Sequence, residues 1–227
     1  MITGLFNNLF IFTLIIIIHE LGHALMGLLM GYKIEKIEIY PYGGCTKLNC
    51  DLNTSIFKEF LVLVSGPLLQ IIFYIFIKKF LNINDYLIFK RYNYQLLCFN
   101  LLPIYPLDGG RLLNLILCIF FSYKKCLRYS IFISFFVIGI CLIYVESLSF
   151  FLVLSFLIVK IIDEKSKINY YYNKFLLERY LKKYTFKKTK IINNVNELYR
   201  SCNHLIKYNN RYFYEKDILE YRCKLNN

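Results

Sequence analysis

Residues 5–30 are apolar almost without interruption, and this run decides what the chain can fold into. Hydrocarbon offers no water to backbone N–H and C=O groups, so a segment crossing it must satisfy them internally, as a helix. About 20 apolar residues cover a ~30 Å core, and this run is long enough. Four further apolar segments follow at 60–77, 86–121, 131–145 and 148–162, the second of these broken by Pro103 and Pro106. The whole chain is 57% hydrophobic, above the about 45–50% of an ordinary soluble domain. The expected fold is an all-α membrane protein, a polytopic bundle of about five transmembrane helices.

Charge divides the chain a second way. Residues 160–227 hold 16 of the 28 Lys and Arg against 7 of the 15 acids, a net +9 out of +13. After a membrane core, a basic tail reads as cytoplasmic retention and attraction to anionic lipid, and no nucleic acid is expected. The expected division is a membrane-embedded core at 1–163 and a cytoplasmic basic tail at 164–227. Basic residues after the first, third and fifth segments place those loops in the cytoplasm and the N-terminus outside. Lys78, Lys79, Lys90 and Arg91 pull the other way.

Smaller elements fill the gaps. Residues 34–48, with Ile37 and Ile39 alternating before Gly43-Gly44, fit a short β-hairpin against the membrane; an irregular loop fits the pattern equally. The tail carries apolar pieces at 191–192, 204–207 and 212–214, with helical spacing at 195–200 and 216–221, a small α+β appendage. The eight cysteines show no CxxC and no regular spacing, so neither a disulfide framework nor a cysteine metal site is read. The first apolar run is not a cleavable leader, because it carries ionisable residues that a disposable segment would not.

Those residues are His19, Glu20 and His23. On a helix, positions i and i+4 share a face, so the two imidazoles can grip one Zn²⁺. Glu20 is turned about 100° from His19, placing its carboxylate to act as general base on a water held by the metal. An ionised group in mid-membrane costs about 2.5–3.5 kcal/mol on the insertion scale. A metal supplies a partner for all three side chains at once. Catalytic zinc takes a third protein ligand, and Asp108 is the acidic residue within the broken segment. It could instead cap the half-helix that follows. Asn100 fits either a hydrogen bond to a substrate carbonyl or oxyanion, or a buried link between helices.

His-Glu-Leu-Gly-His in the first apolar helix, Val64-Ser65-Gly66-Pro67 in the next, and Asn100 through Asp108-Gly-Gly in the third resemble the site-2 protease family of intramembrane zinc metalloproteases. Pro41-Tyr42-Gly43-Gly44 and Phe175-Leu-Leu-Glu178-Arg179-Tyr180 point to its sporulation branch. The resemblance implies six spans, one more than counted here, and an active site open to the mother-cell cytoplasm. It implies His19, His23 and Asp108 as zinc ligands and Glu20 as base. Asn100, Tyr42, Gly43 and Gly44 would contact substrate, which could join the hairpin as an added strand. The implied substrate is the membrane-associated pro-sequence of sporulation sigma factor K, with inhibitory membrane partner proteins. The tail resembles half of the family's paired CBS domain, which argues against ATP binding. Two other readings are open: a protease for an anti-sigma factor or a signal-peptide remnant, and a non-catalytic membrane metal-binding protein or transporter.

Overall fold

The structure, a computed structural model, describes residues 2–40, 43–144, 147–182, 184–208 and 211–225. Composition changes at 163, whereas spatial contact divides the chain into residues 1–50 with 57–102, and 51–56 with 103–227.

In the first unit, α1 (Ile2–Leu29) leads into strands β1 (Lys33–Tyr40) and β2 (Gly43–Asn49), then α2 (Ile56–Ile77) and α3 (Ile83–Asn100). Four consecutive isoleucines at 15–18 are β-branched and would favour a strand in water. They are helical here because a spanning segment must bond its own backbone. Ile11, Ile15 and Ile16 of α1 bury against Phe89 and Leu96 of α3, with Phe73 and Ile77 of α2 packed on them. In lipid, such contacts stabilise by close packing rather than by escape from water. The strands form an antiparallel hairpin in which Ile37 faces Thr46 and Ile39 faces Gly44.

Among the described residues, three helices are long and apolar enough to cross a membrane: Asn7–Leu29 of α1, all of α2, and Tyr123–Ile143. The sequence led to about five. The broken third segment is two helices, α3 and α4 (Asp108–Phe120), because Pro103 and Pro106 remove donors and disfavour helix before them. At 13 residues α4 spans only about 20 Å. Charges at Asp85, Lys90 and Arg91 lie in α3. The last expected span corresponds to α6 (Leu148–Ser166), whose C-terminal end carries Lys160, Asp163, Glu164 and Lys165.

The second unit contains α4, α5 (Tyr123–Ile143), α6 and α7 (Ile168–Leu181). It ends in a sheet of β3 (Thr189–Ile192), β4 (Asn203–Tyr208) and β5 (Arg211–Tyr214), followed by α8 (Glu215–Leu225). β3 runs parallel to β4, and β5 antiparallel to it. The helix expected at 195–200 is a single 3-10 turn, Val195–Glu197, since Leu198 turns extended and its carbonyl accepts instead from the Tyr123 N–H.

Buried Arg179 on α7 organises this unit. Its Nε donates to Asn53 Oδ1 at 2.7 Å, its NH2 to the Tyr199 carbonyl at 2.7 Å, and its NH1 to Glu215 Oε1 at 2.9 Å. Neighbouring Glu178 accepts from the Leu52 N–H at 2.7 Å. The Tyr199 N–H donates to His204 Nε2, so His204 Nδ1 carries the proton and donates to Glu215 Oε2 at 2.9 Å. Burial alone would raise the Glu215 carboxyl, but the His204 hydrogen bond and the Arg179 charge outweigh it and hold it below the usual carboxylate range.

Candidate active site

His19, Glu20 and His23 are all buried on α1, and their ligand atoms lie within 4.8 Å of one another. One helical turn brings the two imidazoles edge to face, with Nε2 of His19 and Nε2 of His23 3.2 Å apart. The other ring nitrogens are committed. His23 Nδ1 lies 2.8 Å from the Val62 carbonyl of α2, which can only accept, so Nδ1 is the protonated nitrogen. His19 Nδ1 lies 2.8 Å from Gln70 Oε1. The Gln70 amide nitrogen donates to the Asn93 carbonyl at 2.9 Å and to Asn93 Oδ1 at 3.1 Å, which turns its oxygen toward His19. Both Nε2 atoms therefore present lone pairs to the same point.

Two acceptor nitrogens this close repel unless a cation or proton sits between them. Tetrahedral zinc, with nitrogens at about 2.0–2.1 Å, sets its ligands about 3.3 Å apart. Imidazoles whose second nitrogen is held by a carbonyl or carboxamide are the usual oriented zinc donors. The residues present fit the metal.

α2 meets this pair through a stripe of buried residues: Val62, Ser65, Gly66, Pro67 and Gln70. Gly66 has to be small, because a Cβ there would come within 2.5 Å of the His23 Cε1. Ser65 Oγ lies 2.6 Å from the Val62 carbonyl of its own helix and 2.9 Å from the Gly22 carbonyl, which sets α2 against the turn that bears the motif.

The hairpin lies against Glu20. Thr46 Oγ donates to Glu20 Oε2 at 2.6 Å. A Cβ on Gly44 would fall 2.6 Å from Glu20 Oε1, so only glycine allows this approach. Gly43 is beside Asn100, its Cβ position 4.0 Å from the Asn100 Oδ1. The Asn100 amide nitrogen is 3.2 Å from His19 Nε2. The first unit thus gathers His19, Glu20, His23, Gly43, Gly44 and Asn100 at one place. Tyr42 lies outside the described residues. Asp108 is the buried first residue of α4, with Leu107 as the residue that caps the helix, and belongs to the second unit.

Sequence reasoning missed four contributors: Thr46, the Val62 carbonyl, Gln70 and Asn93. Gln70 had a readable signal. It is the one carboxamide in α2, and a polar side chain in an apolar span is a functional pointer by default. A main-chain carbonyl carries no such mark.

Comparison with known proteins agrees with this geometry. Residues 8–86 match the family model Peptidase family M50. Stage IV sporulation protein FB of Bacillus subtilis (strain 168) is 32% identical over 190 residues, covering 79% of this chain and 66% of that protein. Zinc metalloprotease MJ0392 of Methanocaldococcus jannaschii is 35% identical over 118 residues, covering 48% of this chain and 34% of that protein. A solved structure, the site-2 protease from Methanocaldococcus jannaschii, aligns at 28% identity with a TM-score of 0.48, covering 79% of this chain and 81% of that one. The chain spans about two thirds of the first relative's length and about one third of the second's. The matched region holds the two histidines, Glu20, the hairpin and the whole of α2, and by it the chain belongs to peptidase family M50, the site-2 proteases.

Proposed function

We propose that this chain is an intramembrane zinc metalloprotease acting on a membrane-associated protein. The observation that carries the reading is the pair of Nε2 atoms 3.2 Å apart on a helix apolar enough to span a membrane, with Glu20 beside them. His19 and His23 would hold the ion, with Asp108 as third ligand on the strength of the Asn100-to-Asp108 motif that this sequence shares with the family. When bound, zinc supplies Lewis acidity that brings a water's pKa down to about 7. Glu20 takes the proton of the attacking water and returns it to the leaving amine nitrogen. Its Oε2 is engaged by Thr46, which leaves Oε1 for that transfer. Asn100, within reach of His19 Nε2, hydrogen-bonds the scissile carbonyl; Gly43 and Gly44 present backbone to an extended substrate, and Tyr42 belongs to the same proposal by its place in the sequence motif.

The substrate proposed is the pro-sequence of sporulation sigma factor K, on the strength of the similarity to stage IV sporulation protein FB. Inhibition by membrane partners belongs to the same proposal, as does an active site facing the cytoplasm, supported by the charge of the tail. The five-span count and the hairpin's place at the membrane surface also stand as proposals.

Co-expression of the chain with a pro-sigma factor from the same genome tests the reading. The wild type should yield a shortened product. Glu20→Gln should keep its zinc and lose about 10²–10⁴-fold in rate, the usual worth of a general base. Normal cleavage by that variant would remove Glu20 from the role. Cleavage of an anti-sigma factor or signal-peptide remnant instead would reassign the substrate, and zinc flux into vesicles without proteolysis would favour transport.

A further inference from the structure

β2 does more than lie near Glu20. Strand geometry puts Gly44 and Thr46 on one face and Cys45 and Lys47 on the other. Both residues of the first face touch the Glu20 carboxylate, one at each oxygen. Thr46 is buried, and its hydroxyl lies 2.6 Å from Oε2 and 3.3 Å from the Glu20 carbonyl. An ionised carboxylate only accepts, so the hydroxyl donates, and its single proton goes to the nearer oxygen. Gly44 lies on the other side, where a Cβ would fall 2.6 Å from Oε1, so its missing side chain keeps that oxygen clear. A carboxylate on a flexible side chain is thereby held to one rotamer by a neighbouring element and not by its own helix.

We propose that Thr46 is a positioning residue, and that the Thr46 hydroxyl holds Glu20 in the orientation from which it moves protons. The proposal rests on the protease reading and deepens it. It assigns the hairpin a second duty: the strand offered to substrate also braces the base, so a disturbance of β2 reaches Glu20 directly. Loss of the hydroxyl frees the carboxylate without removing a metal donor. The expected signature is therefore a fall in kcat with zinc content and KM unchanged, on the order of 10–100-fold, the usual effect of losing such a supporting bond.

The test compares wild type, Thr46→Val, Thr46→Ser and Glu20→Gln, each reconstituted in liposomes with the pro-sigma factor. Valine keeps the shape and loses the hydroxyl; serine keeps the hydroxyl. Thr46→Val should fall in kcat and Thr46→Ser should recover to within about threefold of wild type. Equal loss in both variants would mark a packing role, and full activity in Thr46→Val would overturn the proposal. A second readout does not depend on proteolysis. The infrared difference between wild type and Glu20→Gln isolates the Glu20 carboxylate band, which should shift in Thr46→Val and stay in Thr46→Ser. An unshifted band in Thr46→Val overturns the proposal whether or not any protein is cleaved. A shifted band with no cleavage by the wild type leaves the brace standing and removes the pro-sigma factor as the substrate.

Discussion

His19 and His23 are oriented by different kinds of acceptor, a side-chain carboxamide and a main-chain carbonyl. The difference makes one of them open to mutation. Gln70→Leu keeps the bulk inside α2 but takes away the carboxamide oxygen that faces the buried His19 Nδ1. The ring is then free to turn or to change tautomer, and its Nε2 lone pair is no longer aimed. Zinc affinity should fall about 10–100-fold, measured by competition with a chromogenic chelator. Retention of zinc as tight as the wild type's would show that Gln70 does not orient the ring. At this scale the candidate site was legible because spacing alone puts both histidines on one face. Thr46 was not, since a threonine in a hairpin looks like any β-branched residue until the strand is laid against α1.

Among the elements, α7 and the segment after β2 form a second centre. Glu178 and Arg179 sit in a motif that the sequence marked only by resemblance, and the structure gives them work: they hold Leu52 and Asn53. Lys182 adds an ion pair to Asp51 at 2.6 Å, exposed enough that solvent screens it. Glu215 of α8 completes the cluster with a carboxyl held below its unfolded value near 4.5. A lowered native pKa contributes stability that is fully present above the unfolded value and is lost as pH falls through the native one. The thermal midpoint of the full chain in detergent should therefore drop as pH is lowered below about 4.5. Glu215→Gln should be less stable at neutral pH and should flatten that part of the profile. A profile unchanged by the substitution would exclude Glu215 as a contributor. The strands of the tail were readable as short apolar pieces, whereas the 3-10 turn at Val195–Glu197 was not, because one turn has too few residues to show a period.

For the molecule as a whole, charge argues for direction across the bilayer. With the basic residues of the tail retained inside, a reporter fused after Asn227 should be active only in its cytoplasmic form, and labelling of that end from outside intact cells would reverse the proposed orientation. The membrane character and the candidate metal site, two histidines with Glu20 beside them, were determined by the sequence alone, since both depend on spacing and polarity along one helix, which are local properties. Composition alone does not fix the span count, because α3 and α6 carry charged residues within otherwise apolar runs. Tertiary structure decided how the site is held. It set Gly66 against His23, aimed Gln70 at His19, and brought Gly44 and Thr46 onto Glu20, contacts between residues 24 to 51 positions apart. No local pattern encodes them, because they exist only once α2 and the hairpin have packed against α1. The ionisable cluster that the sequence placed in an apolar helix is thus seen as a built site, its donors fixed by neighbours that the motif itself does not contain.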